Sequence, residues 1–152
     1  MIISNLGEAL RAHIGEALKD FRLPVKNGEP RPPHIVNSFL LPKRTSVSDD
    51  FPLVKVLADK GESDKDCSEV TMAIIIGCYS KEYDGHEYCL NVLERLLRSL
   101  RSLPGGCLAG RYILQLPIKW GFFPNQPIPQ WELGVETTWT FEATQNEPSW
   151  EV

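Results

Sequence analysis

"VTMAIIIGCYSKEYDGHEYCLNVLERLLRSL", residues 70–100, changes its periodicity halfway along, and its two halves decide what kind of fold the chain can adopt. Val70, Met72, Ile74, Ile76 and Cys78 alternate with Thr71, Ala73, Ile75, Gly77 and Tyr79. Period-two alternation with few charges on either side predicts a strand covered at least partly on both faces, and so the centre of a sheet. Further on the spacing turns to three and four: Leu90, Leu93, Leu96, Leu97, Leu100 and Leu103 share a stripe, Arg95, Arg98 and Arg101 take other positions, and "PGG" stops the segment. Asp84 precedes this helix and Glu87 lies in its first turn, where carboxylates suit the positive end of the helix dipole.

Working outward, "LVKVLAD" at 53–59 reads as the hairpin partner of the central strand, with "KGESDKDCSE" at 60–69 as a long polar connection. Upstream, Leu6, Leu10, Ile14, Ala17, Leu18 and Phe21 form the stripe of an amphipathic helix over 6–21, and Asn5 followed by Glu8 has capping-box spacing. His13 borders that stripe as an ordinary boundary residue. Between helix and hairpin stand Pro24, Pro30, Pro32, Pro33, Pro42 and Pro52, which rule out a long helix there. "HIVNSFLL" at 34–41 is the strand candidate, "NGEPRPP" an exposed arm, and "KRTSVSDD" a polar loop.

Downstream, "RYILQLPIKW" and "QWELGVETTWTFEA" are two more strands joined by the aromatic, proline-rich "GFFPNQPIP". Leu133, Val135, Thr137, Trp139 and Phe141 alternate with Glu132, Gly134, Glu136, Thr138, Thr140 and Glu142, which predicts one packed and one wet face. The expected fold is therefore α+β: a mixed, mainly antiparallel sheet with two main helices packed on it, in the order α-β-β-β-α-β-β, plus a proline-rich arm and a long hairpin loop. At 152 residues the chain suits a single domain, 1–152, with a mobile tail over 144–152.

The net charge of −4 and sequence pI near 5.4 argue against a chain that works by neutralising phosphates, so no specific nucleic-acid partner is expected. The N-terminal segment breaks its apolar residues with Glu, Arg, His and Lys, so neither a signal peptide nor a membrane span is expected, and no membrane partner. Cys67, Cys78, Cys89 and Cys107 come without a CxxC pair, which predicts reduced thiols and no structural zinc.

Asp84, His86, Glu87 and Cys89 fall within six residues and imitate a reactive cluster. "HEYCL" lacks the second histidine of the HExxH zinc helix, and it lacks the H-x-E with PCxxC of the zinc deaminases. Cys89 lies on the fourth-residue spacing with Leu93 and Leu97, which predicts burial rather than an accessible thiolate. "LPGGCLAGR" has glycines but no GK[ST] ending, and it follows a helix where a phosphate loop would follow a strand. No catalytic, metal-ligating or cofactor-binding residue is assigned, no cofactor is expected, and the chain is not expected to be an enzyme. A thiol- or metal-dependent enzyme using His86, Glu87 and Cys89 is the competing class. What remains is surface rich in aromatics and Arg, the residue types enriched at interface hot spots.

The order of segments resembles the tail terminator, or tail completion, proteins of long-tailed bacteriophages and prophages. The likeness runs through "PPHIVNSFLL", "DDFPLVKVLADKG", "VTMAIIIGCYSKEYDGHEYCLNVLERLLRSL", "YILQLPIKWGFFPNQPIPQW" and "VETTWTF". The resemblance implies a small α+β subunit that forms a homo-oligomeric, commonly hexameric, ring on the head-proximal end of the tail tube. Such a ring stops tube growth and offers the surface to which the head attaches, so the implied partners are the tail tube protein and the head-tail connector. The implied location is the virion tail, and the bacterial cytoplasm during assembly. Another neck, head-completion or minor tail component is the neighbouring alternative. The residues themselves nominate Arg95, Arg98, Trp120, Phe122 and Phe123 as subunit or partner contacts, and Glu132, Glu136 and Glu142 as exposed surface.

Overall fold

A computed structural model describes residues 2–36 and 51–142. Its elements, in chain order, are α1 (Ile2–Leu18), β1 (His34–Val36), β2 (Leu53–Ser63), β3 (Cys67–Tyr79), α2 (Gly85–Arg101), a 3-10 turn (Pro104–Gly106), β4 (Cys107–Leu108), β5 (Tyr112–Phe122) and β6 (Gln130–Glu142). The strands form one sheet in the order β1-β2-β3-β6-β5-β4, in which only β1 and β2 run parallel. The architecture is the expected α+β one, with one short strand, β4, added. As the alternation predicts, β3 is central, flanked by β6 along its whole length and by β2 from Ser68 to Gly77.

Both helices pack on one side of the sheet: α1 against β1 and β2, α2 against β3 and β6. The core between them is built from the predicted stripes: Leu6, Leu10, Ile14 and Leu18 of α1, Cys89, Val92, Leu93, Leu96 and Leu100 of α2, and the even-numbered face of β3. On β6, Leu133, Val135, Thr137, Trp139 and Phe141 are buried while Glu136 and Glu142 are exposed, as expected; Glu132, expected exposed as well, is half-buried. The one buried hydroxyl in that row is satisfied twice, since Thr137 Oγ1 donates to Met72 O (3.1 Å) and accepts from Trp139 Nε1 (2.9 Å).

Three expectations need correction. The helix expected over 6–21 runs from Ile2 to Leu18, so Asn5 and Glu8 sit inside it as exposed residues and form no capping box. The stripe carries the reason: Ile2 continues the Leu6, Leu10, Ile14, Leu18 series one turn back, and Tyr112 donates its hydroxyl to Ile2 O at 2.7 Å. The polar stretch 60–69 is strand rather than connection, because β2 and β3 stay paired out to Ser63 opposite Ser68 and only residues 64–66 turn. That hairpin leaves the core and is exposed over residues 59–67, so its polar composition signals exposure rather than irregular backbone. The loop expected at 121–129 gives up Gly121 and Phe122 to β5. Of the strand expected at 34–41, residues 34–36 are β1. Its remainder, the polar loop "KRTSVSDD" and the tail 144–152 lie outside the described residues.

Candidate assembly surface

The Asp84–His86–Glu87–Cys89 cluster comes apart in three dimensions. Asp84 accepts a hydrogen bond from Ser80 Oγ at 2.7 Å, His86 and Glu87 are exposed, and Cys89 is wholly buried, its thiol donating to Trp131 O at 3.5 Å. A hydrogen bond with Cys89 and burial together push the Cys78 thiol well above its ordinary range, which disfavours a thiolate at that position. Trp131 organises this corner: its Nε1 donates to Ser80 O at 3.3 Å, its ring lies 6.1 Å from the His86 ring, and it packs so closely on Gly85 that a Cβ there would strike the indole. The cluster therefore seats the start of α2 against β6. Among the described residues no group of three His, Cys, Asp or Glu side chains could hold a metal ion.

The five nominated contact residues fall in different places. Arg95 is half-buried and engaged within its own chain, donating to Ala17 O at 3.2 Å and lying 4.9 Å from the centroid of the Phe21 ring. It thus ties the end of α1 to α2, the position where a cation offsets the negative end of the helix dipole. Arg98 is exposed and lines a shallow groove with Glu94, Leu97 and Arg101, which contains none of the aromatics.

Trp120 and Phe122 share one face of the β5 edge for a reason that is visible in the register, and Phe123 does not join them. Val56, Ile74, Val135 and Trp120 form one row across the sheet, and Val54, Ile76, Leu133 and Phe122 the next. The inner members of both rows are buried, but neither helix lies along β5, which α1 meets at Tyr112 near its start, so the apolar layer runs out past its cover. Trp120 is left 51% exposed and Phe122 36%. Leu116 on the same strand is 72% exposed, and Ile128 in the loop before β6 is 50% exposed. Phe123 folds to the opposite face, where its ring would lie 3.2 Å from a Cβ on Gly134. The loop after it is held by Gln126, whose side chain donates to Phe123 O (2.8 Å) and Glu132 O (2.9 Å) and accepts from Glu132 N (2.7 Å).

The face of the sheet away from the helices carries a depression of about 570 Å³ lined by Leu57, Ala73, Ile75, Lys119, Phe123 and Glu136 among others. Its middle is apolar and its rim charged, with Asp59 and Glu136 against Lys119. Sequence reading located the aromatics and missed the acceptor-like features: the Asp59 bulge in β2, and a 360 Å³ groove beside it lined by Ile3, Ala58, Gly61 and Val70. Ile3, exposed and one residue off the α1 stripe, was the available signal for that groove.

No protein-family model matches this chain, and no curated protein sequence matches it either.

Proposed function

We propose that this protein is a structural subunit that assembles with copies of itself into a ring closing the head-proximal end of a phage tail tube. The observation that carries the reading furthest is the uncovered apolar margin of Trp120, Phe122 and Leu116 on β5, which a chain acting alone has no reason to leave in water. It joins the segment-by-segment resemblance to tail terminators and the dispersal of the one residue cluster that imitates an active site. Activity here is binding and geometry. Head-to-tail contacts close into a ring when their rotation closes, and a tube end occupied by that ring offers no site to the next tube subunit. The opposite rim of the ring then serves the head-tail connector. No cofactor and no catalytic step belong to the proposal. Glu132, Glu136 and Glu142 would disfavour adhesion of DNA wherever they meet its path, over a range of about 8 Å at physiological salt.

The test adds the protein to polymerising tail tube protein and measures tube length and end occupancy by electron microscopy. Expected are shorter tubes with density on one end only, and gold-labelled protein at the head–tail junction of assembled particles. Label at the distal tip, or tubes that elongate unchanged with bare ends, rejects the reading.

A further inference from the structure

We propose that the two outer edges of the sheet are complementary halves of one interface, through which β5 of one copy pairs with β2 of the next. This deepens the ring reading, on which its biological setting rests, by naming the contact between subunits. The geometry begins with what each edge lacks. β1 pairs with β2 only at residues 53–55, and β4 pairs with β5 only at 112–113. Among the described residues, the outer edges of 56–63 and 114–122 have no strand beside them. Unpaired edges present rows of backbone donors and acceptors that another strand can take up.

Direction, length and face all agree with this pairing. From β2 through β3 and β6 to β5 every step is antiparallel, so β2 and β5 run in opposite directions. A second copy displaced sideways in the same orientation therefore brings its β2 antiparallel to the first copy's β5, and the alternation continues unbroken. Setting Lys119 opposite the neighbour's Asp59 places Trp120 opposite Ala58, Gly121 opposite Leu57 and Phe122 opposite Val56. In that register Phe122 joins the helix-side row of Val56 and Trp120 that of Ala58, while Gly121 joins the open-face row of Leu57. Among the described residues, the neighbour's β1 then falls beyond the end of β5, and β4 beyond the end of the neighbour's β2, so neither described strand intrudes.

Charge and shape point the same way. Lys119 is the one charged residue in 114–122, whereas 56–63 offers Asp59 and Glu62 against Lys60. Asp59 is the bulged residue of β2, outside the β2–β3 register, and it lines the groove formed by Ile3, Ala58, Gly61 and Val70. Trp120, set beside Ala58, has that groove as its receptacle. Pro117 carries no N–H, and β5 is irregular between Gln115 and Lys119, so the shared ladder is confined to about 118–122. A short ladder with one aromatic anchor and one charge pair gives a specific contact and limits indiscriminate edge pairing.

The test uses two full-length variants, Trp120→Asp on the β5 side and Asp59→Lys on the β2 side. Each side chain is exposed, and circular dichroism checks that both variants fold. In sedimentation velocity, wild-type protein is expected to associate, and each variant alone to associate about tenfold less tightly or worse. Mixed, they are expected to form a one-to-one dimer and nothing larger, because each chain keeps the edge that the other lacks. Should Trp120→Asp misfold, Lys119→Asp replaces it, and should Asp59→Lys misfold, Asp59→Ala replaces it, each expected to associate more weakly alone and to dimerise with the variant of the other edge. Asp59→Lys that self-associates like wild type means β5 pairs with β5 and overturns the proposal. Wild type that stays monomeric at the highest attainable concentration also overturns it, whether the edges are covered by the chain's own tail or by another partner. A one-to-one dimer with uncapped tubes rejects only the tail reading. Capped tubes with a mixture that stays monomeric reject only the edge pairing.

Discussion

At Gly85 a single missing Cβ decides whether α2 can begin where it does. The indole of Trp131 occupies the space a side chain would need, while its ring nitrogen and carbonyl bond Ser80 and Cys89. Gly85→Ala must push either the helix or the ring aside, and overpacking of this kind costs about 1 to 3 kcal/mol. Thermal unfolding of the variant is expected to show that loss, with the two-helix fold retained by circular dichroism. The buried thiols next door make a second expectation. Cys78 has its pKa raised in the folded chain by Cys89 and by burial, so its contribution is fully present below the unfolded thiol value of about 8.5 and declines above it. Sign follows from proton counting: above that pH the unfolded thiol releases a proton that the folded one keeps. Denaturant titrations from pH 8 upward should show stability falling by up to about 1.4 kcal/mol per pH unit from this group, and Cys78→Val should remove that part of the slope. Thiol labelling should follow burial, with Cys67 reacting first and Cys78 and Cys89 only on unfolding.

Elements end where their backbone groups find other partners, and the β2–β3 hairpin and the α1–α2 junction show this in two ways. At the hairpin tip Asp64 Oδ1 accepts from the amides of Asp66 and Cys67, both at 2.8 Å, and these bonds hold its carboxyl below the ordinary aspartate value. The stabilisation is present above the unfolded value of about 3.9 and is lost as pH falls through the lowered native one. Amide exchange at residues 66 and 67 is expected to accelerate in Asp64→Ala at neutral pH, and in wild type only in acid, while the unfolding temperature of the whole chain hardly moves. This turn was illegible as such because ten polar residues look alike whether they loop or pair; only the Gly61 position, where a Cβ would lie 2.5 Å from Glu69 O, betrays a close ladder. At the other junction Arg95 donates to the last turn of α1 and stacks on Phe21. Arg95→Ala is expected to lower stability by about 1 to 2 kcal/mol, from the lost charged hydrogen bond and cation–π contact. If it instead leaves unfolding unchanged and weakens only self-association, Arg95 serves the neighbour rather than its own helix.

Across the whole molecule, alternation and helical spacing specified what packs inside, because burial repeats with the geometry of the element. Val70 to Tyr79 gave the centre of the sheet, and the α2 leucines gave its cover. The edges were less legible: nothing in "YILQLPIKW" says that the helices leave the Trp120 end of β5 uncovered, since that depends on where α1 and α2 land on other strands. Trp120 and Phe122 could be nominated as contacts by residue type, but their uncovered state is a property of register. Charge behaves in the same divided way. The chain carries −4 overall, yet Glu136 and Glu142 stand exposed on one face of β6 while Arg98, Arg101 and Arg111 are exposed elsewhere. If the acidic face is what keeps DNA from adhering, duplex DNA should not bind detectably even at low salt. Replacing Glu132, Glu136 and Glu142 together with Lys should then create binding that weakens as salt rises, because each phosphate neutralised releases condensed counterions. Filter binding across a salt series measures both. Wild-type affinity that falls steeply with salt would place the Arg-bearing surface, rather than the acidic one, in contact with nucleic acid, and the role of a passive collar around DNA would have to be abandoned.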